Sequence, residues 1–167
     1  VAGTGVLSFA AAPDYENPGD ADTDNDYEVT VRADDQNGRT TDQLITVTVT
    51  AGNDNDPSFT SANAANVAEN TPAVIDVDAT DADLPAETVV YSIVAGGDGA
   101  LFEIVAGTGV LSFVAAPDYE NPGDADTDNV YLVTVRADDQ NGRTSDQLIT
   151  VTVTAVNDND PSFTSAN

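Results

Sequence analysis

The segment "DADTDN" occurs twice, at 20–25 and 124–129, and each copy sets three aspartates at alternate positions: Asp20, Asp22 and Asp24, then Asp124, Asp126 and Asp128. Carboxylates at that spacing are hard oxygen donors, arranged like the first, third and fifth positions of the EF-hand loop that holds calcium. Two departures exclude an EF-hand. The sixth residue is Asn25 or Asn129 where that loop requires glycine, and the twelfth is Val31 or Val135 where it requires glutamate. The segment can hold a cation as a free-standing loop or be a solvated acidic turn, and both readings stay open.

Acid gathers in the same way elsewhere. From Ser58 onward it falls in Glu69-Asn70, "DATDADLPAE" (78–87), "PDYENPGDADTDN" (117–129), "ADDQNG" (137–142) and "NDNDP" (157–161). The 167 residues carry 30 Asp plus Glu against 4 basic residues, all arginines, for a net charge of −26. That balance excludes partners whose affinity rests on Lys and Arg, namely nucleic acid and anionic membrane, and points to cations. No stretch is long and apolar enough to insert into a bilayer. The chain has no His and no Cys, so the commonest general base, the thiol nucleophile and disulfides are all missing. Paired carboxylates can cleave glycosides, but these stand at segment ends where no large pocket is expected, so no enzyme is expected. The Asn-Gly pairs at 37–38 and 141–142 and Asp98-Gly99 read as ordinary turns.

The elements that must position these groups follow from a repeat. "VAGTGVLSF" at 1–9 returns at 105–113, and the copies stay in register through "SAN" at 61–63 and 165–167, an offset of 104. The copies differ at five places: Ala10/Val114, Asp26/Val130, Glu28/Leu132, Thr41/Ser145 and Gly52/Val156. A period of that size suits a whole β-sandwich per repeat. Strands are expected at 59–62 with 66–68, then 74–80, 88–94, 101–105, 110–114, 130–137 and 147–155, a number that matches an immunoglobulin-like Greek-key sandwich. Apolar residues two apart assign Ile75, Val77 and Ala79, then Tyr131, Val133, Val135 and Ala137, then Ile149, Val151 and Val153 to the core. Asp26 and Glu28 have outward parity, and in the second copy the same places hold Val130 and Leu132, which makes that pair a candidate packing contact.

The motifs together resemble the cadherin repeat in the form found in bacterial surface proteins. They are Glu69-Asn70, the "ATDAD" turn with Asp81 and Asp83, "YSI" at 91–93, "LFEI" with a following "TGVL", "PDYE" with Asp118 and Glu120, "VRADD" with Asp138, and "VNDNDP" with Asn157, Asp158 and Asn159. The resemblance spans 58–161 in full and, without its first strands, 1–57; residues 162–167 read as the start of a next repeat.

That resemblance implies calcium between successive domains, extracellular or cell-surface location, and a role as adhesin, stalk or filament. It implies that Asp14 and Glu16, linker residues Asn53, Asp54 and Asn55, and Asp81, Asp83 and Asp138 converge on one junction. Glu69, Asp118, Glu120, Asn157, Asp158 and Asn159 are then half of another. The family's leading linker aspartate is Ala51 or Ala155 here, so one ligand is lost. A carbohydrate- or protein-binding adhesive module is the rival role. Its support is thin, because aromatics are 6% of the chain and most are needed by the fold. The incomplete first copy leaves an apolar face open, to be covered by a continuous array, by strand complementation between molecules in a filament, or by residues 58–104 pairing backward.

Overall fold

The computed structural model describes residues 5–163; Val1–Thr4 and Thr164–Asn167, with the outer ends of the expected partial repeats at 1–57 and 162–167, lie outside the described residues. The chain divides into two compact units, Val1–Asp54 with Ala82–Ala86, and Asn55–Asp81 with Glu87–Asn167.

In the first unit β1 (Asp26–Asp34) and β2 (Thr40–Thr48) form an antiparallel hairpin, Tyr27 opposite Val47 and Arg32 opposite Asp42. The turn sets this register. Asp35 Oδ1 accepts from the backbone N–H of Asn37 at 2.8 Å and of Arg39 at 3.0 Å, and Gly38 takes the left-handed φ of 94° that the reversal demands. Phe9 meets Tyr27 edge-to-face with ring centroids 5.0 Å apart. No apolar side chain of the hairpin is fully buried.

The second unit is all-β and two-layered. One sheet runs β4 (Ala64–Ala68), β11 (Thr144–Thr154), β10 (Val130–Asp138), β7 (Val90–Val94), with β4 parallel to β11 and the other pairs antiparallel. The other runs β5 (Ala73–Asp76), β9 (Val110–Phe113), β8 (Phe102–Ile104), and a short pair joins β3 (Ser58–Phe59) to β6 (Ala79–Thr80). Between the sheets lie Val77, Leu111, Tyr131, Val133, Val135, Ala137, Ile149, Val151 and Val153, the inward parity expected of these strands. Phe102, Phe113 and Tyr131 pack together at centroid distances of 4.4, 5.1 and 6.2 Å. Each aliphatic side chain buried in this way contributes about 1.5–3 kcal/mol.

One expected strand divides in two. The strand read as 74–80 is two strands, because Val77 N–H donates to Gly109 O at 2.9 Å while Asp78 O accepts from Thr60 N–H, also at 2.9 Å; the chain leaves one sheet and joins another between them. Gly109 permits that approach, since a Cβ there would sit 1.9 Å from Val77 O at a φ of +72°. Among the described residues, β3 to β9 pair only with strands of the second unit.

Candidate metal centres

In the second unit the inward parity of β10 runs past its end. Val135 and Ala137 face the core, and Asp139, two positions on, is also buried at 2% exposure. Its Oδ1 accepts from the backbone N–H groups of Asn141, Gly142 and Arg143 at 2.8–3.0 Å, which fixes the side chain against the loop. Asp81, Glu87 and Asp139 offer carboxylate oxygens within 4.8 Å of one another. Glu87 Oε2 is buried and has no hydrogen-bond partner.

The first unit carries its own group. Glu16, Asp54 and Asp83 bring carboxylate oxygens within 4.8 Å. Asp83 is 2% exposed; its Oδ1 accepts from Asp54 N–H at 3.3 Å, and Glu16 Oε1 accepts from Leu84 N–H at 3.2 Å. Asp14 shapes the turn instead of joining the group, its Oδ1 accepting from the N–H of Glu16 at 3.0 Å and Asn17 at 3.1 Å.

At the far end of the second unit Glu69, Glu120 and Asp158 form a third group. Glu69 is buried, and its two carboxylate oxygens accept from Tyr119 N–H at 2.8 Å and Val156 N–H at 2.5 Å, tying β4 to the segments on either side. Asn70 Nδ2 donates to Asp158 at 2.6 Å, and Asn159 Nδ2 donates to its other oxygen at 2.8 Å. Asp118 repeats the part of Asp14, accepting from Glu120 N–H at 3.0 Å.

The "DADTDN" loops close on themselves in both copies. Asp124 Oδ2 accepts from Asp128 N–H at 2.8 Å and Asp20 Oδ2 from Asp24 N–H at 2.9 Å, and the three carboxylates of each loop approach within 4.8 Å. Burial pushes the Asp124 carboxyl up, but backbone hydrogen bonds from Asp128 and Asp124 outweigh it and hold the group below its ordinary value. The charge of Asp128 and the adjoining Asp124 carboxyl push Asp126 the other way, so the loop stores repulsion between its carboxylates.

A family model, the cadherin domain, matches residues 63–154. The chain belongs to the cadherin family. Mouse "Cadherin-related family member 3" is 31% identical over 173 residues, covering 95% of this chain and 19% of that protein. Rat "Protocadherin-16" is 41% identical over 123 residues, covering 70% of this chain and 4% of that one. The crystal structure of mouse cadherin-23 EC22-24 superposes with a TM-score of 0.64 at 28% identity, over 89% of this chain and 46% of that one. The chain thus spans a fifth or less of the length of these two curated relatives. The cadherin-type β-sandwich expected from the motifs is the observed fold. Cadherins are extracellular or cell-surface proteins of the adhesion type.

Against this cadherin frame, most of the expected acidic residues do gather. Glu16, Asp54 and Asp83 meet, Glu69, Glu120 and Asp158 meet, and Asp81 lies in a group with two residues that the motif reading passed over, Glu87 and Asp139. Asp138 has the wrong parity for that group: it ends β10 on the outward side, and its Oδ1 accepts from Gln140 N–H at 2.7 Å. The alternation of β10, carried two residues past Ala137, is the signal that marks Asp139. Glu87 stands alone near the close of "DATDADLPAE", and no spacing marked it. The amides expected to join in, Asn53, Asn55, Asn157 and Asn159, flank Asp54 and Asp158 in sequence.

Proposed function

We propose that this chain is a stretch of tandem cadherin repeats that calcium stiffens, part of an extracellular adhesin, stalk or filament. Residues 1–57 are the C-terminal part of one repeat, 58–161 a complete repeat, and 162–167 the start of another. The observation that carries the reading is the pair of carboxylate groups that meet the chain on either side of Ala82: Asp83 with Glu16 and Asp54, and Asp81 with Glu87 and Asp139. Every donor is an oxygen, as calcium's preference for six to eight hard ligands requires, and Glu87 Oε2 is buried with no hydrogen-bond partner in the protein.

Without a cation such groups repel one another. A divalent ion held by either group would replace repulsion with attraction among its carboxylates and stiffen the chain on that side of Ala82. Glu69, Glu120 and Asp158, with Asp118 shaping the turn and Asn157 and Asn159 beside them, would serve the next junction in the same way. Val130 and Leu132 on the outward side of β10 provide a lateral contact for a neighbouring repeat or a second molecule, Leu132 being 41% exposed.

Thermal melting in calcium and in chelator tests the reading. Binding to the folded state alone stabilises by about 2.7 kcal/mol when calcium is a hundredfold above its dissociation constant, so a clear upward shift is expected. Small-angle scattering should show the chain extend and stiffen. Identical melting curves and scattering profiles in the two conditions would remove calcium from the account and leave only the sandwich.

A further inference from the structure

We propose that the "DADTDN" loop is a calcium site in its own right, internal to each copy and separate from the repeat junctions. The loop offers three carboxylates, Asp124, Asp126 and Asp128, with one oxygen of each inside a 4.8 Å span. Ligands on opposite sides of a calcium ion at about 2.3–2.6 Å stand about that far apart.

The carboxylates alone would not make a site. What points to a ligand is the state of two buried side chains in the loop. Asp124 is 4% exposed; its Oδ2 is engaged by Asp128 N–H, and its Oδ1 is buried with no hydrogen-bond partner. Asn129 is 8% exposed; its Nδ2 donates to Tyr119 O at 3.0 Å, which fixes the amide, and its Oδ1 is likewise buried and unpartnered. An acceptor oxygen withdrawn from water is costly unless a cation or donor answers it, and neither of these two oxygens has a hydrogen-bond partner.

The first copy repeats the arrangement in a different setting. Asn25 is 8% exposed, its Nδ2 donates to Tyr15 O at 3.1 Å, and its Oδ1 is buried and unpartnered; Asp20 Oδ1 is too. The hairpin after it has no fully buried apolar side chain. The same two orphaned oxygens therefore arise with and without a finished core beside them. They are a property of the loop, not a by-product of sandwich packing.

The ligand class follows from the donors. With no His or Cys in the chain, all candidates are oxygens, which suits calcium and disfavours zinc. The ion would act on the fold at a defined place. Asn129 O accepts from Val153 N–H at 2.9 Å and Asp128 Oδ1 accepts from Val130 N–H at 2.8 Å, so the loop is tied to the first residues of β10 and, through Tyr119, to the turn that presents Glu120.

The test is a calcium chloride titration of the isotopically labelled full chain, followed by amide NMR, with ion stoichiometry measured by equilibrium dialysis. In the native chain the side-chain amides of Asn25 and Asn129 and the backbone amides of 127–130 should shift, and the same shifts should persist in Asp83→Asn, which perturbs only the junction. In Asp22→Asn/Asp126→Asn, changed at two exposed positions, stoichiometry should fall by one ion per loop, or affinity there by about tenfold or more. Unmoved loop amides in millimolar calcium would overturn the proposal whatever the junction does. So would unchanged stoichiometry and affinity in the double variant with its circular dichroism preserved. Should that variant lose its fold, the titration of the native chain decides alone.

Discussion

The hairpin at 26–48 and the hairpin at 130–152 are nearly the same sequence in the same register, Tyr27 opposite Val47 and Tyr131 opposite Val151. Their surroundings differ completely. Tyr131, Val133, Val135, Ile149 and Val151 are at most 2% exposed, whereas Val31 is 41% exposed and Tyr27, Val29, Ile45 and Val47 are only half-buried. Local chemistry therefore suffices for the ladder: the Asp-capped turn and cross-strand pairs such as Arg32–Asp42 and Arg136–Asp146 recur in both. In the second unit burial is supplied by β5, β8 and β9, which pack over its hairpin. Residues 6–9 make the same point. They match β9 residue for residue but form no strand.

Matched substitutions can break or sharpen this contrast. The largest difference is expected in the core. Ile149→Ala should cost about 2–5 kcal/mol and Ile45→Ala under about 1 kcal/mol, read by urea denaturation. Equal costs would mean that the first hairpin is covered in solution. Next come the equivalent glycines. Gly109→Ala drives a Cβ into Val77 O, while Gly5, at a φ of +66°, has nothing within 4 Å. The first change should cost more than about 3 kcal/mol and the second about 1–2 kcal/mol, the backbone penalty alone.

Smaller still is the outward pair. Val130→Asp with Leu132→Glu restores the first copy's residues, and stability should move by no more than about 0.5–1 kcal/mol. Self-association measured by sedimentation should fall, and an unchanged oligomeric state would remove the lateral contact. The least effect belongs to the ion pairs. Hydrogen bonds from Arg136 and Arg32 hold Asp146 and Asp42 below their ordinary 3.8. A depressed carboxylate contributes stability above its unfolded value, and this is lost as pH falls through the lower folded value. Asp146→Asn and Asp42→Asn should therefore weaken the chain slightly at neutral pH, by similar amounts, and not at all well below pH 3.8; molar salt should shrink both effects.

Much of this was legible in the residues. Alternation identified Val133, Val135, Ile149 and Val151 as core, and motif order identified the family. Alternation would also have preferred Asp139 to Asp138 as the inward carboxylate, had it been carried one step beyond the strand. Other features were not written locally. The break in 74–80 depends on which sheet edge each half meets, and the placing of Glu87 on a loop returning from Pro85 toward β7. The orphaned oxygens of Asp124 and Asn129 depend on burial, which composition does not reveal.

One pairing described above bears on what happens when the protein is pulled. β4, which follows β3 near the start of the second unit, lies beside β11, the last strand of that unit, and the two run parallel from Ala64 opposite Thr150 to Ala68 opposite Thr154. Tension applied through the chain on both sides drags these neighbours in opposite directions along their length. The rungs between them must then give way together and cannot unzip one at a time.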